Sequence, residues 1–103
     1  YVDDLAEGVL RMLGSNCNAK PINISNGSPT KIRELVDIIL KVCDHPVKPK
    51  YDQSKPTAVP YRVLDNTKCN TLLGTINKIS LEEGIKKTVD WYSHLGLFKP
   101  NRK

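Results

Sequence analysis

Aromatic residues make up only 6% of this 103-residue sequence, and it has just three cysteines. With so few aromatics, large core anchors are scarce. Cys17, Cys43 and Cys69 are odd in number and widely spaced, none forms a CxxC pair, and only His45 and His94 could assist them. Neither a disulfide framework nor a zinc site is encoded, and a reducing, cytoplasmic setting is expected. No apolar run reaches the roughly 18 residues that a membrane span needs, and the first residues carry acids rather than a basic leader. A soluble chain without a membrane partner is therefore expected. The Asn-x-Ser matches at Asn23 and Asn26 read as turn chemistry rather than glycan acceptors.

Motifs for the common cofactors and catalysts are missing as well. Gly8, Gly14, Gly27, Gly74, Gly84 and Gly96 never group into GxGxxG or GxxxxGK[ST], so no dinucleotide or ATP cradle is expected. Neither histidine sits in HExxH and no GxSxG elbow occurs, so no catalytic residue and no metal ligand is assigned. Tyr51 and Lys55 have the Tyr-x-x-x-Lys spacing by which a helix can set a lysine beside an acid/base tyrosine. Pro56 disfavours helical geometry at Lys55, and Pro49 lies just upstream, so this pair does not read as catalytic.

What the chain does have is one domain's worth of ordinary globular composition, 39% hydrophobic and 26% charged, with a formal charge of +5. The charge is uneven. Residues 1–44 carry five Lys/Arg against six Asp/Glu, and residues 45–103 carry eleven against five, which makes the second half the candidate anion site. The basic residues are scattered, without interleaved aromatics or a helical stripe, so nucleic acid is not the expected partner.

Periodicity predicts a helix over about 2–13, with Leu5, Val9, Met12 and Leu13 recurring and Asp3 and Asp4 capping its acidic start. A short strand over 21–24 and an Asn26-Gly27 turn lead to a helix over about 31–43, begun by Pro29 and Thr30. Its apolar face is drawn by Ile32, Leu35, Val36, Ile39, Leu40 and Cys43. Four prolines between residues 45 and 62 leave 47–51 and 61–64 as short edge strands. Asp65 or Thr67 caps a short helix ending at Gly74, and Ser80-Leu81-Glu82-Glu83 is a capping box for a helix over about 80–95. Trp91 and Tyr92 are expected in its core and rim. The expected fold class is α/β, with about three main helices and short strands, a domain over 1–98 and a disordered basic tail over 99–103.

Five segments in order carry a family resemblance: Tyr-Val-Asp-Asp-Leu-Ala (1–6), Ile-Asn-Ile-Ser-Asn-Gly (22–27), Lys-Pro (55–56), Arg-Val-Leu-Asp (62–65), and Leu-Leu-Gly with Ile-Ser-Leu-Glu-Glu-Gly-Ile (72–85). Together they resemble the C-terminal substrate-binding part of the NAD-dependent epimerases and dehydratases, extended short-chain dehydrogenases that act on nucleotide sugars.

The resemblance implies that the NAD(P) site and the catalytic Tyr and Lys belong to a Rossmann domain that this sequence does not include. No cofactor site is expected in the chain itself. It also implies that Lys55 and Arg62 meet the diphosphate of a nucleoside diphosphate sugar. That suits an ammonium and a guanidinium fork in a basic, proline-stiffened stretch. Ala58 stands where relatives often have Gly, Tyr61 where they have a second basic residue, and Thr75 where they have Trp. The resulting expectation is a nucleotide-sugar-binding part that is not catalytic alone. The alternative is an interaction domain that self-associates or joins a separate Rossmann-domain chain.

Overall fold

A computed structural model describes residues 1–56 and 59–97 of the chain. It contains four helices, α1 (Val2–Leu13), α2 (Ile32–Val42), α3 (Thr67–Leu73) and α4 (Leu81–His94). These coincide closely with the helices that periodicity predicts. The proposed basic tail at 99–103 lies outside the described residues.

The strands are a correction. Residues 21–24, 47–51 and 61–64 form no strand, and the described residues contain no β ladder, so the fold is helical rather than α/β. A strand needs backbone-to-backbone pairing. Around residues 22–25 that role passes to side chains: Asn23 Nδ2 donates to the Asp65 carbonyl at 3.2 Å, and Ser25 Oγ donates to the Leu64 carbonyl at 3.4 Å. In the 47–51 stretch Pro49 lacks an N–H to offer a ladder.

The chain divides into two compact units, Tyr1–Pro29 with Arg62–Ser80 (unit 1) and Thr30–Tyr61 with Leu81–Lys103 (unit 2). In unit 1, α1 packs on α3 around Cys69, Leu73 and Ile76, with Met12, Cys17, Ile22 and Ile24 closing over them. Cys69, only 2% exposed, is therefore a core side chain. Gly8 lets α1 come this close: a Cβ there would lie 3.0 Å from Ile76 Cδ1 and 3.2 Å from Ile24 Cγ2.

Asp4 is buried and does not cap α1, whose N-cap is Tyr1 and which has no side-chain cap bond. Its two oxygens instead accept the backbone amides of Lys78 at 3.3 Å and Ile79 at 3.2 Å. Asp3 is exposed in the first turn. Arg11 makes a second long-range tie: its Nη1 donates to the Leu73 carbonyl at 2.9 Å and the Thr75 carbonyl at 3.4 Å, while Nε pairs with Glu7.

In unit 2, α2 packs on α4. Thr30 does not cap α2; the N-cap is Lys31, whose side chain has no acceptor. The drawn apolar face is only partly covered, since Leu35, Val36, Leu40 and Cys43 are half-buried while Ile32 and Ile39 remain exposed. Lys41 pairs with Glu82 at 2.8 Å, an exposed ion pair of small energetic value. Trp91 is not a core residue: it is 57% exposed, in edge-to-face contact with Tyr92.

Asp4 generates a direct test. Asp4→Ala leaves two amides without their acceptor and should cost unit 1 about 3–6 kcal/mol in urea unfolding, taking charged hydrogen bonds at about 1.5–3 kcal/mol each. Asp4→Asn keeps one acceptor oxygen and should cost less.

Candidate functional site

The two cations that the resemblance selects are both exposed, Lys55 in unit 2 and Arg62 at the start of the second segment of unit 1. Each approach is set by local turn chemistry. Ahead of Lys55, Asp52 Oδ1 accepts the Ser54 amide at 3.0 Å and the Ser54 hydroxyl at 2.6 Å, an Asx turn that ends the extended run. The guanidinium of Arg33 lies 5.1 Å from the ring centroid of Tyr51, a cation–π contact on the same run. No helix spans 51–55, so Tyr51 and Lys55 do not share a helical face. Ala58 lies outside the described residues.

Arg62 leads into a segment held in place by the 22–27 motif. Asn23 and Ser25 donate to the carbonyls of Asp65 and Leu64, and Asn66 Nδ2 donates back to the Ser25 carbonyl at 3.2 Å. Asn77 Nδ2 donates to the same carbonyl, also at 3.2 Å. Gly27 is required twice over, because its φ is +68° and a Cβ would lie 2.5 Å from Asn66 Oδ1. Ser25 Oγ and Asn26 Oδ1 accept the amides of Gly27 and Ser28 and shape the turn.

The sequence reading treated these polar residues as a turn and missed their second role, which is to position the chain that follows Arg62. The density of Asn and Ser over residues 23–28, around Ile24, was the available signal. Among the described residues no hydrogen bond or ion pair involves the charged group of Lys55 or Arg62, so both have their donors free.

Asp65 starts α3. Its Oδ1 accepts the Thr67 amide at 2.9 Å and the Thr67 hydroxyl at 2.6 Å, although the geometric N-cap is Asn66. The Thr67 hydroxyl and then its amide hold the Asp65 carboxyl below its ordinary 3.8. The Ser54 hydroxyl and amide do the same for Asp52. Thr75 is exposed, and its carbonyl takes the Arg11 contact.

Gly8 is packed inside α1 against Ile76 and Ile24, and Gly84 lies inside α4.

Sequence comparison agrees with the five motifs. The chain is 34% identical to GDP-L-fucose synthase 1 of Arabidopsis thaliana over 92 residues, which are 89% of this chain and 28% of that protein. It is 38% identical to GDP-L-fucose synthase of Escherichia coli K12 over 101 aligned residues, 89% of this chain and 31% of the relative. It is 29% identical to UDP-glucose 4-epimerase of Mycolicibacterium smegmatis, again over 89% of this chain and 29% of the relative. No protein-family profile and no solved structure matches. The chain is thus related to the NAD-dependent epimerases and dehydratases, and it spans less than a third of the length of these curated relatives.

The Asp65 turn has a pH signature. A depressed carboxyl supports the start of α3 above the ordinary carboxylate pKa and loses that support as pH falls through its lowered value. Thr67→Val removes the hydroxyl donor, and the Asp65 pKa followed by carboxyl-carbon NMR should rise toward 3.8.

Proposed function

We propose that this chain is the substrate-holding part of a sugar-nucleotide epimerase, dehydratase or reductase. In this reading the diphosphate of a nucleoside diphosphate sugar is met by Lys55 and Arg62. The observation that carries the proposal is similarity over 89% of the chain to enzymes named as GDP-L-fucose synthase and UDP-glucose 4-epimerase. Two features support the residue assignment: both cations are exposed, and both have free donors. Guanidinium and ammonium groups complement phosphate by charge-assisted hydrogen bonding, and the guanidinium adds a planar fork.

NAD(P) and the catalytic Tyr and Lys are assigned to residues outside this chain, which alone carries out no hydride transfer. Three free cysteines suit a cytoplasmic setting for the whole enzyme. The motifs resemble those of the GDP-L-fucose synthases, among the enzymes to which the chain is similar.

Titration of the labelled chain with GDP, GDP-fucose and UDP-glucose at low salt tests the assignment by NMR. Two charge-assisted contacts, less the cost of association, limit the expected affinity to no tighter than about millimolar. Shifts should cluster within 50–56 and 59–66 and be lost in either Lys55→Ala or Arg62→Ala, each tested by itself. Shifts spread over every lysine, or none, would remove both residues from the site.

A second reading, self-association, is favoured by the outer face of α1. Val2, Leu5, Val9 and Leu13 follow helical spacing along that face and are 62%, 50%, 47% and 80% exposed. In this reading two copies cover each other's stripe. Sedimentation should then show a concentration-dependent dimer, abolished by Val9→Glu. A monomer at high micromolar concentration would overturn this second reading.

A further inference from the structure

Unit 1 contains a groove of about 500 Å³ that shares neither Lys55 nor Arg62. One wall is the loop that leaves α1, carrying Asn16, Cys17, Asn18 and Lys20; the other is α3, carrying Lys68 and Thr71. The volume falls within the roughly 300–1,000 Å³ typical of small-molecule sites.

The loop wall is fixed by its own bonds. Ser15 Oγ donates to the Met12 carbonyl at 2.9 Å and lies 2.7 Å from Cys17 Sγ, and the Lys20 amide donates to the Cys17 carbonyl at 3.0 Å. Asn18 and Ala19 take left-handed backbone, with φ of 47° and 54°, which turns the chain back toward Pro21. There the Lys68 ammonium donates to the Pro21 carbonyl at 3.0 Å and joins the two walls.

The lining chemistry is specific. Lys68 spends one of its three N–H donors on Pro21, and among the described residues the Lys20 ammonium has no hydrogen bond or ion pair. The lining includes one carboxylate, Asp65, and its Oδ1 is already shared by the amide and hydroxyl of Thr67. Two ammonium groups from two different elements therefore outnumber a partly satisfied carboxylate. Around them, the carboxamides of Asn16 and Asn18 offer donors and acceptors. The Thr71 hydroxyl donates to the Thr67 carbonyl and keeps its oxygen free to accept. Paired cations suit an oxyanion, and neutral carboxamide and hydroxyl groups suit neighbouring sugar hydroxyls.

We propose that this groove binds a phosphorylated monosaccharide, with its phosphate between Lys20 and Lys68 and its hydroxyls toward Asn16, Asn18 and Thr71. The site goes beyond the nucleotide-sugar reading and does not rest on it.

The test titrates the full chain with glucose 6-phosphate, inorganic phosphate and glucose at matched low ionic strength. It is read by amide NMR and by the alkylation rate of Cys17, with Cys43 in unit 2 as the internal control. Glucose 6-phosphate should shift amides in 16–20 and 67–72 saturably and slow alkylation of Cys17 several-fold without changing Cys43. Phosphate should bind more weakly at the same residues, and glucose should not bind. Lys20→Ala, which removes an exposed side chain without internal bonds, should weaken glucose 6-phosphate about tenfold. The proposal is overturned by non-saturating shifts over all lysines, by equal binding of glucose, by unchanged affinity in Lys20→Ala, or by shifts confined to 50–56 and 59–66. That last pattern would support the Lys55 and Arg62 assignment on its own.

Discussion

The carboxylate of Asp4, buried in the first turn of α1, accepts the amides of Lys78 and Ile79 from the far end of unit 1. Burying a carboxylate is costly unless it is hydrogen-bonded, and the part-buried amides of Lys78 and Ile79 gain an acceptor in the same contact. Each therefore compensates the other. Around this contact α1 lies on α3, Ile76 fills the space above Gly8, and Arg11 draws in the carbonyls of Leu73 and Thr75. Much of the ordering of residues 73–79 thus traces to two charged residues on one helix.

The same economy explains the missing sheet. Residues 22–25 and 64–66 meet through Asn23, Ser25 and Asn66, which supply hydrogen bonds that a ladder would otherwise provide. Side-chain amides of this kind satisfy backbone groups one at a time and fix a register without a repeating pair. Gly27 makes room for Asn66 at this junction, so the Asn-Gly signal marks a packing requirement as well as a turn. The segments of the sequence that resemble one another's counterparts in the family at 22–27 and 62–65 are, in space, two sides of one joint.

Helix positions were legible because apolar spacing and glycine stops are local signals, and α1, α3 and α4 lie where those signals put them. The strands were not legible as absent, because β-prone residues at 22–24 and 61–64 report a preference for extended backbone and say nothing about a partner. Asp4 was misread for a similar reason: an acid in a first turn looks like a dipole or cap residue until the fold brings Lys78 and Ile79 to it. Lys55 and Arg62 came from family resemblance alone. The groove beside α3 draws on residues about fifty positions apart, so no local pattern could announce it.

The central structural claim is that Asp4 ties the 78–79 backbone to α1 strongly enough to close unit 1. Amide hydrogen exchange of the intact chain, measured by NMR near neutral pH, tests it most directly. The amides of Lys78 and Ile79 should be protected to the same degree as those of α3 around Leu73, although they lie in no helix, while the amides of Lys48 and Lys50 exchange freely. Exchange of Lys78 and Ile79 as fast as that of Lys48 and Lys50, with α3 still protected, would contradict the claim.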